Sequence, residues 1–449
     1  MQLFNIIKLK FAQIFDAQSK KLFKNSSWLY FSQIIRTLLM FLRSIVIARG
    51  LGPELYGNYN IIIAFVTTVQ EFFNQNVGTP FIKYGAEFKI NSENERFKAL
   101  LKSMLLVSGI TAVLSLIGVF ILMVFFYHYF VKQPGFQVYI IIFAFGSLLI
   151  FFDSITISLL RLFDRFKLNS IIVIGVAFFE VLLITVILHF FPHDFHKFFL
   201  TMVLIKLIGG IITNGVAFSE LKGEIKDYIK VSIYSIRDKF NEIWKFTIQN
   251  SISRTLKTLM DNGDILLLAA FSSPTQVAYY AIAKKLAFSL LLLSDPVNLA
   301  VYPQISSLVS EQRYSAILEM LKNLTRLFAI PFFIVIIVIF SFRYEILQFL
   351  YGTEYRDAAN PFVFLLIGAS ISLIFFWNLS LLFSLGRVDI RLKTSILTIL
   401  IGFFIAYLLV PQYGAAGVAF SLMISKLILT STFVAVGILQ IKAKIECKP

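Results

Sequence analysis

The chain has 449 residues, of which 58% are hydrophobic and only 15% charged, and its mean hydropathy is +0.81. This composition excludes an ordinary soluble domain and indicates a membrane protein, in which the distribution of the net charge of +16 matters more than its sum. Nucleic acid is therefore not an expected partner. Cys447 is the only cysteine, which excludes an intrachain disulfide and a thiolate metal site.

Residues 1–26 form a basic segment that contains no cleavage site of a signal peptide. Its apolar residues recur at helical spacing and its lysines lie between them. The pattern predicts an amphipathic helix on an anionic inner leaflet, with membrane lipids as partners. A loosely ordered basic tail is the alternative, and the sequence does not decide between them.

Twelve apolar segments follow, each long enough to cross about 30 Å of hydrocarbon as a helix. Turn residues such as Gly50-Leu51-Gly52-Pro53 and Pro411-Gln412-Tyr413-Gly414 separate them. The predicted spans are 27–48, 56–80, 103–127, 136–160, 169–191, 198–219, 242–270, 277–302, 323–343, 360–385, 392–411 and 416–440.

Lysine and arginine are concentrated in alternate connections between the spans. The positive-inside rule therefore predicts that both termini and the 220–241 connection are cytoplasmic. The four histidines fall at the outer ends of spans or in outer loops. His193 and His196 could ligate a metal weakly, but without further ligands nearby we interpret them as interfacial and predict no metal site.

Short matches in the same order relate the two halves of the chain. Arg36-Thr37-Leu38 corresponds to Arg254-Thr255-Leu256, and Lys206-Leu207-Ile208 corresponds to Lys426-Leu427-Ile428. Because six crossings return the chain to its starting side, the repeats would be parallel, with a substrate site between the halves. We predict a cytoplasmic segment 1–26, an N-terminal six-helix bundle 27–219, a cytoplasmic linker 220–241, a C-terminal six-helix bundle 242–440 and a cytoplasmic tail 441–449. Two unrelated apolar bundles with accidental matches are the alternative.

Charged residues inside the spans are the strongest functional signal, because a charge at the centre of a membrane helix costs roughly 2.5–3.5 kcal/mol. Seven residues separate Arg36 from Arg43, so the two share a face of the first span. The seventh span has one polar stripe, formed by Arg254, Lys257, Asp261 and Asp264.

The eighth span adds Lys284 and Lys285, and the second contains Glu71. The basic surplus predicts a path for an anionic substrate such as a phosphate or pyrophosphate. The alternatives are that Arg43 and Arg254 reach the membrane interfaces, that Arg36 pairs with Glu71 across two helices, or that Asp261 and Asp264 neutralise Lys257 or Arg254.

No catalytic pattern is present in the sequence. Gly50-x-Gly52 precedes no strand–helix unit and is a turn, and there is no Walker sequence, HExxH or serine elbow. We therefore expect a transporter rather than an enzyme, without a cofactor and without ATP as its direct energy source.

The segment NSSWLYFSQIIRTLLMFLRSIVIARGLGPELYGNYNI (25–61) and its echo SSPTQVAYYAIAKK (272–285) resemble the Wzx-type polysaccharide flippases, members of the multidrug/oligosaccharidyl-lipid/polysaccharide exporter superfamily. The resemblance implies an all-α fold of twelve transmembrane helices in two parallel six-helix bundles around a central cavity. It also implies that six cations bind the substrate there: Arg36, Arg43, Arg254, Lys257, Lys284 and Lys285.

The activity implied by the resemblance is transfer of undecaprenyl-pyrophosphate-linked oligosaccharide across the bacterial inner membrane by alternating access, for O-antigen, capsule or exopolysaccharide assembly. A polysaccharide polymerase and a chain-length regulator would be partners. Coupling to a H⁺ or Na⁺ gradient would involve Asp261, Asp264 or Glu71. The alternatives are a cation-coupled drug exporter, disfavoured by the basic surplus, and a membrane polymerase or ligase, disfavoured by the short outer connections.

Overall fold

A computed structural model describes residues 17–446 of the chain. Residues 1–16 of the predicted amphipathic segment and the last three residues of the predicted tail, with Cys447, lie outside the described part. The α-helices are α1 (Ala17–Phe73), α2 (Gly78–Ile90), α3 (Asn94–Phe130), α4 (Gln137–Gly146), α5 (Ile150–Leu162), α6 (Phe166–Phe190), α7 (Phe195–Glu220), α8 (Phe240–Phe271), α9 (Pro274–Ser289), α10 (Asp295–Ser310), α11 (Tyr314–Ser341), α12 (Arg343–Tyr351), α13 (Ala359–Ile374), α14 (Asn378–Ser384) and α15 (Val388–Glu446).

The prediction of an all-α membrane protein is confirmed. Short 3₁₀ turns at Ile233–Ile236, Leu290–Leu293 and Thr353–Ala358 complete the regular structure of the described residues. Within that part of the chain, seven helical segments are long and apolar enough to cross a membrane. A helix satisfies every backbone hydrogen bond internally, which is the requirement that hydrocarbon imposes on a spanning segment.

Two of the longest helices are kinked where the sequence predicts a turn. Gly52 in α1 has φ 75° and ψ 171°, and Gly414 in α15 has φ 51° and ψ −126°. A side chain at such backbone angles would be strained, so glycine permits the bend. Each kink falls in a connection that the sequence predicts, between the first and second spans and between the last two.

Four predicted spans are not single helices. The second is interrupted between α1 and α2, the fourth between α4 and α5, the eighth between α9 and α10, and the tenth between α13 and α14. The predicted spans run across these breaks without marking them. The second and fourth spans of each predicted half are the interrupted ones, so the breaks follow the internal repeat.

The described residues group into two compact units. Unit 1 contains residues up to Gly50, then Phe65–Tyr127 and Gln133–Leu259, and unit 2 contains Leu51–Ala64, His128–Lys132 and residues from Met260 onward. The boundary between the units therefore falls inside the continuous helix α8. The predicted bundle limits 27–219 and 242–440 stay predictions.

Unit 1 includes residues 220–241, which pack on its helices. Leu221, Ile225 and Ile236 are buried in the same apolar cluster as Phe81 and Leu100. Two ion pairs, between Arg96 and Asp238 and between Lys239 and Glu87, hold the end of this segment. The segment is therefore a docked part of the unit.

Unit 2 brings the start of α9 against the segment of α1 that follows the kink. A methyl group added at Gly57 would lie 1.8 Å from the carbonyl oxygen of Pro274, so only glycine allows this approach. Tyr56 packs edge-on against Tyr355 with ring centroids 6.4 Å apart. Close backbone approach at small residues is the usual basis of helix packing in membranes, where apolar burial drives association less than in water.

Candidate functional site

Arg254 of α8 is bound to Glu71 near the end of α1, within unit 1. Its Nε donates to Glu71 Oε1 at 3.1 Å. The Glu71 side chain is 12% exposed and that of Arg254 is 52% exposed. With the Asn76 amide oriented so that its oxygen faces Arg254, that oxygen also accepts from the guanidinium at 3.2 Å. The alternative pairing of Arg36 with Glu71 is wrong, because Arg254 is the partner of this carboxylate.

The interrupted segment between α1 and α2 is attached to α8 by three polar side chains close to Arg254. An interrupted helix leaves carbonyl groups without intrahelical donors, and side chains must supply them inside a membrane. Three side chains of α8 do so: Asn250 donates to Asn76 O at 3.2 Å, Ser251 donates to Gln75 O at 2.6 Å, and Thr255 donates to Glu71 O at 3.1 Å. One face of α8 thus stabilises the break in the second span.

Arg43 of α1 forms a salt bridge with Glu180 of α6, also within unit 1. The Glu180 side chain is only 7% exposed and that of Arg43 is 17% exposed. Removing an arginine and a carboxylate from water requires that they meet directly, since either charge alone would be costly to bury. This salt bridge joins α1 to α6.

Arg36, about two helical turns before Arg43, is exposed and forms no hydrogen bond or ion pair with another described residue. It interacts electrostatically with Asp153 and with Lys206 of α7, and Lys206 also interacts with Glu180 and Arg43. Unit 1 thus holds three basic groups around two carboxylates, which leaves a net positive charge.

The carboxylate of Asp153 at the start of α5 is held by Asn214 of α7, whose amide donates to it at 3.0 Å. The Nζ of Lys206 lies 5.7 Å from the ring centroid of Phe143, within the range of a cation–π interaction. Contacts between α4, α5 and α7 therefore orient Asp153 and Lys206, the two groups that interact electrostatically with Arg36.

Lys284 of α9 is bound to the end of α8 within unit 2. Its Nζ lies 2.5 Å from Asp264 Oδ2 and donates to the carbonyl of Asp261 at 2.8 Å. Asp264 also accepts from the Tyr280 hydroxyl at 2.5 Å and from the backbone N–H of Ile265 at 2.7 Å. The proposed neutralisation of Lys257 or Arg254 by Asp264 is therefore wrong, and Lys284 is its cationic partner.

A cavity of about 130 Å³ opens beside this cluster in unit 2. Asp261, Asp264 and Lys284 line it together with Lys426 of α15, and hydroxyl groups complete the wall at Thr398, Ser421 and Ser425. Lys426 interacts electrostatically with Lys284 and Asp261, and its Nζ lies 5.7 Å from the ring centroid of Phe288. The cavity offers ammonium, carboxylate and hydroxyl groups in an otherwise apolar helix pack.

The other two predicted cations are on helix surfaces. Lys257 is exposed on α8 and makes no hydrogen bond or ion pair with another described residue. Lys285 is exposed on α9. The structure thus places Arg36, Arg43 and Arg254 in unit 1 and Lys284 in unit 2, and the convergence of the six cations stays a prediction.

Lys206 and Lys426 are absent from the predicted substrate-binding set, although each stands in a polar cluster of its own unit. Their signal was visible in the sequence, since both are lysines in apolar spans at matching repeat positions. Glu180 was visible as a carboxylate in the fifth span, but its pairing with Arg43 depends on how α1 and α6 pack. Across residues 17–446 no group of three or more His, Cys, Asp or Glu side chains forms a metal site.

Comparison of the sequence with known protein families and curated proteins finds several similar proteins. The family described as polysaccharide biosynthesis protein matches residues 22–309. A putative O-antigen transporter of Shigella flexneri is 23% identical over 405 residues, covering 89% of this chain and 93% of that protein. A probable low-salt glycan biosynthesis flippase of Haloferax volcanii is 23% identical over 225 residues, covering 49% of this chain and 45% of that protein.

Solved structures share the fold. An inward-facing multidrug resistance transporter of the MATE family and MOP superfamily superposes with a TM-score of 0.69 at 16% identity, covering 92% of this chain and 96% of that one. The lipid II flippase MurJ, in an inward closed conformation, superposes with a TM-score of 0.67 at 14% identity, covering 93% and 90%. These similarities confirm the predicted resemblance, and the chain belongs to the polysaccharide biosynthesis protein family.

Proposed function

We propose that the chain is a flippase that moves undecaprenyl-pyrophosphate-linked oligosaccharide from the cytoplasmic to the outer leaflet of a bacterial inner membrane. The observation that carries the proposal is membership of the polysaccharide biosynthesis protein family across residues 22–309. The relative that covers most of the chain is named an O-antigen transporter, and the second relative is named a glycan flippase. Drug exporters share the fold, so the fold alone does not select the substrate.

The proposed architecture is twelve spans in two parallel six-helix bundles around a central cavity, with both termini in the cytoplasm. Two observations support it: the kinks at Gly52 and Gly414 each divide a long helix into two spans, and the interruptions recur in corresponding spans of each half. A sugar chain linked to pyrophosphate cannot cross hydrocarbon unaided. A polar interior carries it while the lipid tail remains in the bilayer.

The pyrophosphate requires cations that the protein has not already neutralised. Arg36 and Lys257 form no hydrogen bond or ion pair with a carboxylate among the described residues, and Lys206 and Lys426 stand in clusters where bases equal or outnumber acids. Arg43, Arg254 and Lys284 are each bound to a carboxylate, which orients them and lowers their net charge. We infer that Arg36 makes the main contact with the phosphate oxygens, since its guanidinium can offer two parallel N–H groups.

Coupling to a H⁺ or Na⁺ gradient is assigned to Asp261. Asp264 already accepts from Lys284, Tyr280 and a backbone N–H, and Glu71 accepts from Arg254 and Asn74. Asp261 lies in the cavity wall, and its carboxylate accepts no hydrogen bond from another described residue. Asp261→Asn should abolish gradient-driven transport in an inserted protein, whereas Asp264→Asn should mainly lower stability. Gradient-driven transport by Asp261→Asn at the wild-type rate would contradict the assignment.

The protein is proposed to break no covalent bond of its substrate. The two relatives carry names of a transporter and a flippase, and the reactions before and after the crossing would belong to other proteins. A polysaccharide polymerase and a chain-length regulator would act on the product at the outer face.

Reconstitution tests the proposal directly. The purified full chain is placed in liposomes that contain undecaprenyl-pyrophosphate oligosaccharide in both leaflets, and the fraction of glycan accessible to an added glycosidase is measured over time. We expect the accessible fraction to rise above that of protein-free liposomes. Arg36→Ala should slow the rise, and Arg313→Ala, which removes a surface arginine paired with Glu311, is the matched control. Efflux of a cationic dye without movement of the glycan would support drug export instead.

A further inference from the structure

The surface of unit 1 has an apolar groove along α3 that the flippase activity does not use. The groove has a volume of about 620 Å³ and lies between α3 and the docked segment at Tyr228 and Ile229. Four of its side chains on α3 are between 45% and 59% exposed: Leu106, Ile110, Val113 and Leu114. A methyl group added at Gly109 would meet only a ring atom of Phe152 at 3.9 Å, so the missing side chain leaves the groove open.

The length of the groove suits one leaflet. Its walls on α3 run from Leu105 to Leu114, which corresponds to about 14 Å at the rise of an α-helix. Half of the hydrocarbon thickness of a bilayer is about 15 Å. One acyl chain of a single leaflet can therefore lie along the whole groove.

One end of the groove is polar and basic. Lys102 Nζ donates to the carbonyls of Ile229 at 2.6 Å and Val231 at 3.0 Å, which uses two of its three N–H donors. Residues 221–231 contain three lysines and two carboxylates, and Lys98 and Lys102 of α3 add two more cations. The end of the groove that meets the aqueous interface thus has a net positive charge.

The ion pair of Asp227 shows which lysine at this end of the groove is already neutralised. Asp227 forms an ion pair with Lys230 at 2.8 Å, and that contact lowers the pKa of its carboxyl below the ordinary value, with smaller contributions from Lys226 and Lys98. Because Asp227 is already matched by Lys230, the charges of Lys98 and Lys226 remain available to another anion.

We propose that this groove binds one anionic phospholipid of the cytoplasmic leaflet, with an acyl chain along α3 between Leu105 and Leu114 and the phosphate beside Lys98, Lys102 and Lys226. The net positive charge at the end of the groove favours an anionic lipid over a zwitterionic lipid or the basic N-terminal segment. A zwitterionic lipid would leave the cations without a net counter-charge, and the basic segment 1–16 has the same sign as the rim. The inference is independent of the proposed transport.

Native mass spectrometry of the full chain tests the proposal. The protein is extracted from liposomes that contain equal amounts of phosphatidylglycerol and phosphatidylcholine, and the lipids that remain bound are counted by mass. We expect one phosphatidylglycerol to remain on the wild-type chain under conditions that remove phosphatidylcholine. Each lysine near a membrane surface contributes about 1 kcal/mol toward an anionic lipid, so Lys98→Gln with Lys226→Gln should weaken binding by about 30-fold.

Matched variants separate the groove from general effects. Gly109→Leu should fill the groove and displace the lipid, whereas Gly109→Ala should retain it. Lys245→Gln with Lys442→Gln removes two other exposed lysines and should leave binding unchanged. Undiminished phosphatidylglycerol on Gly109→Leu would overturn the proposal. So would equal retention of phosphatidylcholine, or a bound mass that corresponds to a polyprenyl lipid.

Discussion

Arg254 Nε lies 3.1 Å from Glu71 Oε1, so a cation predicted to bind substrate is also the tie between α8 and the interrupted second span. The pair is asymmetric, because the carboxylate is far more buried than the guanidinium. Arg254 can therefore face a substrate while its Nε stays attached to Glu71.

The Arg254–Glu71 pair gives a test that separates packing from substrate binding. Arg254→Ala should lower the free energy of unfolding by about 1–3 kcal/mol, because the nearly buried Glu71 carboxylate loses a charged donor. Glu71→Ala combined with Arg254→Ala should recover most of that stability in thermal unfolding in detergent. If Arg254 also binds the substrate, glycan export will stay low in the double variant. Full export by the double variant would limit Arg254 to a packing role.

The Arg43–Glu180 pair should be a major element of stability in unit 1. Glu180→Ala leaves a guanidinium without its carboxylate at a largely buried position and should cost about 3–5 kcal/mol. The amount of folded protein after a heat step, measured by size-exclusion chromatography, reports the loss. Lys230→Ala breaks an exposed ion pair and should leave the melting profile unchanged. A Glu180→Ala protein as heat-resistant as wild type would show that the pair is not needed for folding.

Arg36 and Lys284 are two different kinds of cation: Lys284 is paired with Asp264, whereas Arg36 forms no ion pair among the described residues. Arg36→Ala should reduce export at least tenfold with a normal amount of inserted protein, because among the described residues Arg36 has no ion pair or hydrogen bond with a carboxylate to lose. Arg36→Lys should retain part of the activity, since a lysine supplies the charge without the bidentate geometry. Surface glycan normalised to inserted protein is the measurement.

Lys284→Ala should have a second effect, since it leaves Asp264 with neutral donors only. Lys284→Met combined with Asp264→Asn should restore the amount of inserted protein and separate this effect from substrate binding. Full export by a well-inserted Arg36→Ala, Lys284→Ala protein would contradict a cationic substrate site.

Docking of the segment before α8 should depend on pH through Asp238. The hydrogen bond from Arg96 holds the pKa of the Asp238 carboxyl below its ordinary value. A lowered folded-state pKa stabilises the docked form above the unfolded value of about 3.9 and loses that contribution as the pH falls through the folded value. Hydrogen exchange in residues 232–239, corrected for intrinsic rates, should be unchanged between pH 7 and 5 and should accelerate below about pH 4. The same acid response in Asp238→Asn would show that another group is responsible.

Hydropathy, Pro53, Pro274 and the glycines at positions 52 and 414 are local signals. They were enough to predict the protein class, the family and the kinked connections from the sequence. The sequence was insufficient for the helix breaks. Asn74–Val77 reads as part of an apolar span, and only side chains 170 or more residues later, at Asn250 and Ser251, satisfy the carbonyls that the break exposes.

Charge pairing was the least predictable feature, for the same reason. Asp264 was compared with residues one turn away on its own helix, because spacing along a helix is visible in a sequence. Glu71 was compared with Arg36 of the first span, but the sequence does not show which helices pack together. The partners that the structure shows, Arg254 and Lys284, come from other helices. Lys206 and Lys426 could have been selected, since their repeat correspondence was already visible.

Residues 51–64 belong to unit 2 although they are made before most of unit 1. During synthesis this stretch leaves the ribosome long before Pro274, whose carbonyl it will contact at Gly57. The last residue of unit 1 is Leu259, so all of unit 1 has been synthesised at that point. The fourteen residues 51–64 can make their contacts in unit 2 only after the second half of the chain has been synthesised. The two halves are therefore not independent products of translation, and separately expressed halves divided at residue 259 would each lack a contact that the whole chain supplies.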